Sequence, residues 1–452
     1  MEIKRIDLSC DVLVVGGGIG GLTVATSLKE RRPDLDILVI EKQFAGYGGK
    51  ANKGGGVLQY FNDNVDPMLF LDMHARSIGC YLGDQNLMLR YVNMNHEMMD
   101  ILSGWGVNVP KNADGTYNVM PTGNFTSMIC VDLDITLQVR KRAEKLGVRF
   151  MDKTPMAELF TENGKIVGAS AYSILDGTVY IINAKSVVLA SGGFGGNLDM
   201  VVENKASLAG FVSTNGATID GSGIKMAIAA GAATVDMGEI QIHPTVYVNP
   251  ETGNTSLITE SIRGDGAIVV NQEGVRFVNE DETRDVVSAA VLEQTGGYAW
   301  VIFDQKMYDA SATYAGYVTK GLCVATEGKS LADLAAAMGC DAATLEATVS
   351  TWNTAVTNQK DEEFGRNAFK STLDDTYYAV KINPGIHHCM GGVVINTNTE
   401  VLNAEGNAIA NLFAAGEVTG GVHGANRLGG NAVADIVVFG RIAGAAAAAN
   451  AE

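Results

Sequence analysis

A glycine run between a short apolar strand and a helix constrains this chain more than any other feature of its sequence. Residues 10–15 are predicted to form a buried strand, 16–21 are glycine except for one isoleucine, and 22–31 have helical spacing of apolar residues. A second apolar run at 36–40 ends at Glu41. This order and spacing predict a βαβ unit that binds a dinucleotide.

The glycines match the pattern G-x-G-x-x-G at Gly16, Gly18 and Gly21. Their missing Cβ atoms allow a tight turn, close approach to a pyrophosphate and packing of the helix on the strand. The helix N-terminus then faces the diphosphate. Glu41 can accept hydrogen bonds from ribose hydroxyls and would repel a 2′-phosphate. Because the chain has 54 glycines, the pattern gains its weight from the strand, the helix and the acid around it.

Length and composition favour a folded protein of two domains. The chain has 452 residues, of which 46% are hydrophobic and 19% charged. No uninterrupted apolar stretch is long enough to cross a bilayer, so we expect no direct membrane insertion. The formal charge of -18 would repel phosphate backbones, which argues against a nucleic acid partner. Cationic side chains that bind an anionic substrate should therefore be gathered in one place.

The six cysteines lie far apart, with no C-x-x-C pair and no C-x-x-C-H haem attachment site. The pattern therefore indicates neither iron–sulfur nor c-type haem ligation. Unpaired thiols fit a reducing compartment, and the chain opens almost directly into a strand. We expect a cytoplasmic protein, or a periplasmic one if a signal peptide has been removed.

Further elements follow from apolar spacing and turn residues. Residues 84–105 have helical spacing, and 132–146 predict another helix, with Asp132 as N-cap and Gly147 as stop. Alternating residues between 157 and 188 suggest a small antiparallel insertion. Composition turns to mixed α+β after a boundary near Gly238. The end of the chain returns to a strand, a glycine-rich turn and an Ala-rich helix beginning near Asn431.

Four of the six histidines fall in three short motifs, which are QIHPT at 241–245, HHCMGG at 387–392 and HGANRLGG at 423–430. Between the first two lie TESIRG at 259–264, RFVNE at 276–280 and TRD at 283–285. Together these motifs resemble those of the fumarate reductase and succinate dehydrogenase flavoproteins, and most of all the soluble flavocytochrome c fumarate reductases. The resemblance covers nearly the whole chain and is strongest from residue 241 onward.

The resemblance implies an α/β fold in which a Rossmann-like FAD-binding domain, 1–238 and 381–452, carries an inserted α+β capping domain, 239–380. The substrate would lie between them, over the flavin. The segment LFAAGE at 412–417 resembles the late FAD-contacting strand of such flavoproteins, whose Glu lies near the ribityl chain. Without that resemblance, Glu417 would be interpreted as a solvated turn carboxylate. The implied FAD contacts are Gly16, Gly18, Gly21, Glu41, Lys42, Gly192, Gly193, His388, Glu417 and Asn431.

The substrate implied by the family is a small unsaturated carboxylate. His387 and Arg427 resemble the residues that hold one carboxylate, and His243 and Thr259 those that hold the other. A guanidinium offers a carboxylate a two-pronged donor, and an imidazole adds a directed one. Binding both ends would fix an alkene carbon over flavin N5 and could twist a carboxylate out of conjugation.

Proton delivery is also carried over from the family. Arg284 matches the residue that protonates the second alkene carbon, and Glu260 with Arg263 match the relay that resupplies it. Arginine is a poor acid in water, with a pKa above ~12, so the role requires burial and nearby cations. The plainer interpretations are an ordinary surface pair for Glu260 and Arg263 and a solvated charge for Arg284.

A metal site is not expected, although His387, His388, Cys389 and His423 include good ligand types. Adjacent residues on an extended strand point to opposite faces, so His387 and His388 could not readily share one ion. His423 is better interpreted as a packed or hydrogen-bonded loop histidine.

The chain departs from the family in three respects. Membrane-bound relatives attach FAD covalently through a histidine after the second strand, whereas the first histidine here is His74, so FAD should be held non-covalently. The haem domain of the flavocytochromes has no counterpart. A separate electron donor is therefore expected, whether reduced flavin, a ferredoxin-like protein or a partner subunit. Segments 50–56 and 113–130 match least well.

Two other functions remain open from the sequence. One is an amino-acid oxidase or steroid dehydrogenase on the same fold, since L-aspartate oxidases share similar His-Pro-Thr and Asn-Arg elements. The other is a flavoprotein subunit that docks to an iron–sulfur and membrane-anchor assembly.

Overall fold

The computed structural model describes residues 4–54, 56–61, 66–121, 127–325 and 330–452. In chain order the strands are β1 Arg5–Val15, β2 Ile37–Ile40, β3 Val57–Tyr60, β4 Met120–Pro121, β5 Ser127–Cys130, β6 Arg149–Met151, β7 Met156–Glu162, β8 Lys165–Tyr172, β9 Val179–Leu189, β10 Val212–Ser213, β11 Thr234–Val235, β12 Ile240–Val248, β13 Thr255–Leu257, β14 Ile268–Val270, β15 Ala299–Asp304, β16 Cys323–Ala325, β17 Tyr377–Cys389, β18 Gly392–Val393, β19 Glu400–Leu402 and β20 Ala408–Ala414.

The helices are α1 Ile19–Arg31, α2 Pro67–Met73, α3 Gln85–Asn95, α4 Met98–Gly104, α5 Ile135–Lys145, α6 Leu198–Asn204, α7 Ser222–Ala229, α8 Ser261–Gly264, α9 Arg284–Leu292, α10 Gln305–Ala310, α11 Ala312–Thr319, α12 Leu331–Met338, α13 Ala342–Asn358 and α14 Asn431–Asn450. A π-helical turn, His74–Ile78, follows α2. Short 3-10 turns span Lys50–Lys53, Ala206–Leu208 and Thr295–Gly297.

The chain divides into two compact units. Unit 1 contains Met1–Ala209, Asn215–Ile240 and His388–Glu452, and unit 2 contains Gly210–Thr214 and Gln241–His387. The predicted domain bounds, 238/239 and 380/381, lie a few residues earlier, because β12 begins at Ile240 and β17 continues to Cys389. The α/β architecture with an inserted α+β part is confirmed.

Unit 1 is built on a mixed sheet with the strand order β19-β20-β8-β9-β1-β2-β6, and β7 pairs with β8. Parallel pairing joins β1 to β2 and to β9, as well as β2 to β6 and β20 to β9. Every residue of β2 and the last four of β1 are buried, as expected for strands covered on both faces. The predicted βαβ unit is thereby confirmed, with α1 beginning at Ile19.

The expected antiparallel insertion at 157–188 is correct only in part. The strands β7, β8 and β9 pair antiparallel, and the predicted turns separate them. However, β9 also pairs in parallel with β1 along nearly its whole length. The segment therefore extends the main sheet and is not a separate insertion.

Two helix predictions need correction. The helix expected over 84–105 is interrupted by a turn at His96 and Glu97, which separates α3 from α4. Asp132 is not an N-cap, since its carboxylate accepts from the Asn108 amide and α5 begins later, at Ile135. The glycine stop is correct, with φ +86° at Gly147.

Helix α14 is long and apolar enough to cross a bilayer by length and composition alone. It does not contradict the expectation drawn from uninterrupted apolar stretches, because Asp435 and Arg441 interrupt it. Of its most apolar stretch, 61% is buried inside the protein, where α14 packs against α1 and the main sheet. Core helices commonly meet the same criteria, so this is weak evidence for membrane insertion.

Unit 2 has a sheet in the order β13-β12-β17-β15-β14, and β10 and β16 also pair with β17. Its core includes Trp352 and Phe303, both fully buried. Since β17 is the central strand and ends at the edge of the unit, it carries His387 in unit 2 and His388 in unit 1.

Candidate functional site: a flavin cradle and an arginine relay

The turn between β1 and α1, together with the first residues of α1, contains three motif glycines for different reasons. Gly16 has φ +110°, and a Cβ there would lie 2.4 Å from the Ala190 carbonyl oxygen. A Cβ on Gly21 would lie 1.9 Å from the Gly16 carbonyl oxygen. Among the described residues, a Cβ on Gly18 would meet nothing nearer than Gly49 Cα, at 3.8 Å. The protein itself requires glycine at 16 and 21, whereas Gly18 leaves open space at the N-terminus of α1, as a bound pyrophosphate requires.

The acidic residue after β2 holds this turn in place. The Glu41 carboxylate accepts from the Gly17 N–H at 2.6 Å and from the Gln43 N–H at 2.8 Å. A carboxylate has about four acceptor sites, so ribose hydroxyls could still bind there. The neighbouring Lys42 Nζ donates to Asp220 at 2.7 Å, and this pair lowers the pKa of Asp220 although burial opposes the change. A cofactor role for Glu41 and Lys42 stays a prediction.

The late strand β20 leads into a buried carboxylate at Glu417, which is only 6% exposed. It accepts from the Cys389 N–H at 3.0 Å and pairs with Lys50 Nζ at 3.1 Å. The His388 Nδ1 lies 3.4 Å from the same carboxylate oxygen. Glu417 is therefore not the solvated turn residue that composition alone would suggest.

Polar side chains around the start of α14 form a second buried group. Tyr91 donates to Asn431 Oδ1 at 2.6 Å, and the Asn431 Nδ2 is buried with no partner among the described residues. The His423 Nε2 pairs with Asp435, whose pKa is raised by burial although His423 opposes that change. His423 is thus a hydrogen-bonded histidine, as predicted. Arg427 is also buried in unit 1, and its Nη1 donates to the Leu428 carbonyl at 2.8 Å.

These features of unit 1 fit an extended dinucleotide. Gly18 leaves space at a helix N-terminus, and Gly192 follows β9 with φ +80°. The buried Ser191 Oγ and Asn431 Nδ2 have no partners among the described residues, and such orphaned groups need a ligand or water. A flavin dinucleotide offers acceptors to both.

Unit 2 contains a chain of three charged side chains. Arg284, at the start of α9, donates through Nε and Nη2 to Glu260 Oε2, at 3.0 and 2.6 Å. The other oxygen of Glu260 accepts from Arg263 Nη2 at 3.2 Å. Arg284 is 11% exposed and Arg263 2%, so neither is a solvated surface charge. The three residues named as a relay are brought together in this order.

The three charged side chains alter one another's pKa values. Burial raises the pKa of Glu260, but Arg284 outweighs that effect and lowers it to about 2. Glu260 is therefore ionised throughout the neutral range and becomes protonated only as the pH falls toward 2. Burial lowers the pKa of Arg263, with Glu260 opposing and the like charge of Arg284 adding to the decrease. Arg263 thus has a lowered pKa and lies beside a carboxylate. A proton relay needs such a pair.

Sequence reasoning missed Gln241 as part of this chain. Its Oε1 accepts from Arg284 Nη1 at 2.9 Å, so the guanidinium is fixed on two edges. Gln241 opens the QIHPT motif, which was noted only for its histidine. A search for amide side chains beside motif histidines could have found it.

Two histidines of unit 2 lie beside each other. The rings of His243 and His387 are 5.2 Å apart between centroids. The Nδ1 of His243 accepts from the Thr245 N–H at 3.3 Å, so a neutral ring carries its proton on Nε2. The Nδ1 of His387 is 2.9 Å from Thr214 Oγ1. Both rings are therefore oriented by threonines, which directs each imidazole for hydrogen bonding.

Thr259 is held by a tyrosine that the sequence did not reveal. The Tyr317 hydroxyl, on α11, accepts from the Thr259 N–H at 2.8 Å and donates to its Oγ1 at 3.2 Å. Ser261 Oγ lies 3.0 Å from the same Thr259 oxygen. Tyr317 is a positioning residue for Thr259 because it fixes both the backbone and the side chain.

The comparisons with known proteins cover nearly the whole chain. Residues 11–433 match the family described as an FAD binding domain. The probable fumarate reductase Ifc3 of Shewanella frigidimarina (strain NCIMB 400) is 37% identical over 93% of this chain and 71% of its own length. This chain belongs to the fumarate reductase family of FAD-binding flavoproteins.

Other members of the family extend the match. The NADH:fumarate oxidoreductase of Klebsiella pneumoniae (strain 342) is also 37% identical over 93% of this chain, which spans only 46% of that relative. The open conformation of a flavocytochrome c3 fumarate reductase superposes with a TM-score of 0.82 and 34% identity, covering 98% of this chain and 79% of the other. The FAD cofactor expected from the resemblance of residues 412–417 is confirmed by the family match.

The expectation that no metal is bound stays a prediction. Within the described ranges, no three His, Cys, Asp or Glu side chains form a group that could hold a metal ion. Of the segments that match the family least well, residues 55 and 122–126 lie outside the described residues.

Proposed function

We propose that the chain is an FAD-dependent reductase that acts on the double bond of fumarate or a related unsaturated carboxylate. FAD, when bound, would supply a hydride to one alkene carbon. The observation that carries the proposal is the hydrogen-bonded Arg284–Glu260–Arg263 chain, whose two arginines are 11% and 2% exposed and which is suited to protonating the other carbon. The relatives named above as fumarate reductases and a fumarate oxidoreductase support the same reaction.

The residues of the chain bind and orient the substrate. His387 and Arg427 hold one carboxylate, and His243 and Thr259 hold the other. The Nε2 proton of His243 suits an acceptor such as a carboxylate oxygen, because its Nδ1 is already engaged. Fixing both ends keeps the alkene in one orientation and lowers the entropic cost of the reaction.

Arg284 supplies the proton, and Glu260 with Arg263 replace it. Because the pKa of Glu260 is lowered to about 2, Glu260 rests as a carboxylate, and it takes up a proton only transiently and passes it to Arg284 once Arg284 has given its own proton away. Each proton moves along existing hydrogen bonds of 2.6 to 3.2 Å. The relay would therefore restore the proton of Arg284 without exposing the deprotonated guanidine to water.

Electrons reach the flavin from a separate donor, which could be reduced flavin, a ferredoxin-like protein or a partner subunit. FAD is bound non-covalently, because no histidine precedes His74. Acid precipitation of the purified protein should release all flavin into the supernatant, whereas flavin in the pellet would contradict this. We keep the cytoplasm as the expected location.

The reaction is tested with dithionite-reduced viologen dye and a set of acceptors that includes fumarate, acrylate and cinnamate. We expect dye oxidation that requires FAD and saturates with at least one unsaturated carboxylate. No turnover with any of them would sink the proposal. Peroxide release with an amino acid in air would favour an oxidase.

Replacing Tyr317 by phenylalanine should raise the KM for the enoate about tenfold with little change in kcat. The variant leaves the Thr259 N–H and Oγ1 without their partner, and a lost buried hydrogen bond costs about 1.4 kcal/mol, which is tenfold in affinity. Steady-state kinetics with reduced viologen measures the effect.

The matched control is Tyr314→Phe, on the same helix. The hydroxyl of Tyr314 bonds Ser261 and Asp265 and makes no hydrogen bond to Thr259. Equal increases in KM for both variants would show a general loosening of α11 and contradict the positioning role of Tyr317.

A further inference from the structure

Lys50 is a partly buried lysine in the 3-10 turn Lys50–Lys53, within the segment that departs from the family. Its Nζ lies 3.1 Å from Glu417 Oε1 and 3.3 Å from Oε2, so it meets both carboxylate oxygens. The two side chains are 18% and 6% exposed. The pair links the loop after β2 to the turn after β20, two segments that are 367 residues apart in the sequence.

The Glu417 carboxylate lies among residues expected to face the flavin. A Cβ added to Gly193 would come within 2.9 Å of Glu417 Cγ. Glu417 also accepts from the Cys389 N–H, and the His388 ring is beside it. Burial raises the pKa of the Cys389 thiol to about 12, so the thiol is neutral. The Lys50 Nζ is nearer to the Glu417 carboxylate, at 3.1 Å, than the His388 Nδ1, at 3.4 Å.

The charge balance at this place matters for a flavin. Two-electron reduction of FAD with uptake of one proton adds one negative charge to the site. A buried carboxylate without a counter-ion disfavours that charge, because Coulomb interactions are weakly screened away from water. An ammonium that neutralises the carboxylate removes the penalty, and groups close to the ring are known to tune flavin electronics.

We propose that Lys50 is a positioning residue that holds Glu417 and cancels its charge, so that the site binds reduced FAD more tightly relative to oxidised FAD. The inference rests on the proposed flavin site and deepens it. Lys50 would then act on the flavin through its charge. It lies in the loop after β2, the region in which membrane-bound relatives attach FAD covalently.

The test is the midpoint potential of bound FAD in the holoenzyme, measured by photoreduction against a reference dye. Lys50→Met keeps the length of the side chain and removes its charge. It should weaken the binding of reduced FAD, relative to that of oxidised FAD, about tenfold, which lowers a two-electron potential by about 30 mV. Lys50→Arg should stay close to wild type. Lys53→Met, an exposed residue of the same turn, is the matched control and should change nothing.

A double-variant cycle separates charge from structure. Glu417→Gln alone should raise the potential, and Lys50→Met with Glu417→Gln should return it toward the wild-type value, because both charges are gone. A purely structural Lys50 would instead lower the melting temperature in Lys50→Met and leave the potential unchanged. That result, or equal potentials for Lys50→Met and Lys53→Met, overturns the inference.

The outcomes also distinguish this inference from the proposed function. Wild-type protein that binds no FAD would defeat both. Wild-type protein with FAD and enoate reductase activity, but no change of potential across the cycle, would defeat only the role of Lys50. If Lys50→Met does not retain FAD, the potentials of Glu417→Gln and Lys50→Arg decide the question. An unchanged potential in Glu417→Gln also refutes charge cancellation.

Discussion

Replacing Arg284 by glutamine is expected to lower kcat for enoate reduction about 10³-fold, the range in which a positioned general acid contributes. Glutamine has no proton of sufficient acidity to give, and Glu260 loses the guanidinium that it contacts through two bonds. The decisive measurement is the rate at which fumarate reoxidises the pre-reduced enzyme in a stopped-flow instrument. Reduction of the flavin by dye without an enoate should keep its wild-type rate.

The matched control is Asp285→Asn, the exposed neighbour of Arg284 on α9. It changes charge at the same helix terminus and should leave reoxidation within about threefold of wild type. Should Arg284→Gln reoxidise as fast as this control, proton delivery must come from elsewhere, and the relay would be only a structural ion pair.

Local patterns were sufficient for the parts of the fold that hold a nucleotide. The glycine turn, the helix after it and the acid after β2 lie within one short stretch, where spacing reports geometry directly. The start of α14 at Asn431 was also predicted correctly, because the glycine-rich turn gives way there to an Ala-rich stretch. The turn at His96 and Glu97 that separates α3 from α4 was not predicted, because the apolar spacing continues through it.

The candidate site shows where local patterns fail. Spacing alone favoured an exposed pair for Glu260 and Arg263, and only family resemblance joined them to Arg284. Burial decided between the two interpretations, because Arg263 is almost fully enclosed. Lys50 is 367 residues from Glu417 and carries no motif of its own, so no pattern could pair them. Long-range partners of ordinary residue type have no sequence signature to detect.

Replacing Gly18 by alanine should weaken FAD binding at least ~100-fold, or about 2.7 kcal/mol, without destabilising the apoprotein. The new methyl group would project into the space that a pyrophosphate needs, while no protein atom lies within 3.4 Å of it among the described residues. FAD titration by fluorescence quenching measures the affinity, and thermal unfolding of the apoprotein measures stability.

Gly21→Ala provides the contrast, since its methyl group would overlap the Gly16 carbonyl oxygen at 1.9 Å. Overpacking of this kind costs about 3 kcal/mol, more than the helix propensity gained by replacing glycine. The apoprotein of Gly21→Ala should therefore melt at a lower temperature, while Gly18→Ala melts as wild type. Because the two substitutions are chemically the same, normal FAD binding by Gly18→Ala would mean that the pyrophosphate lies away from this turn, and the assignment of the cofactor site would have to be abandoned.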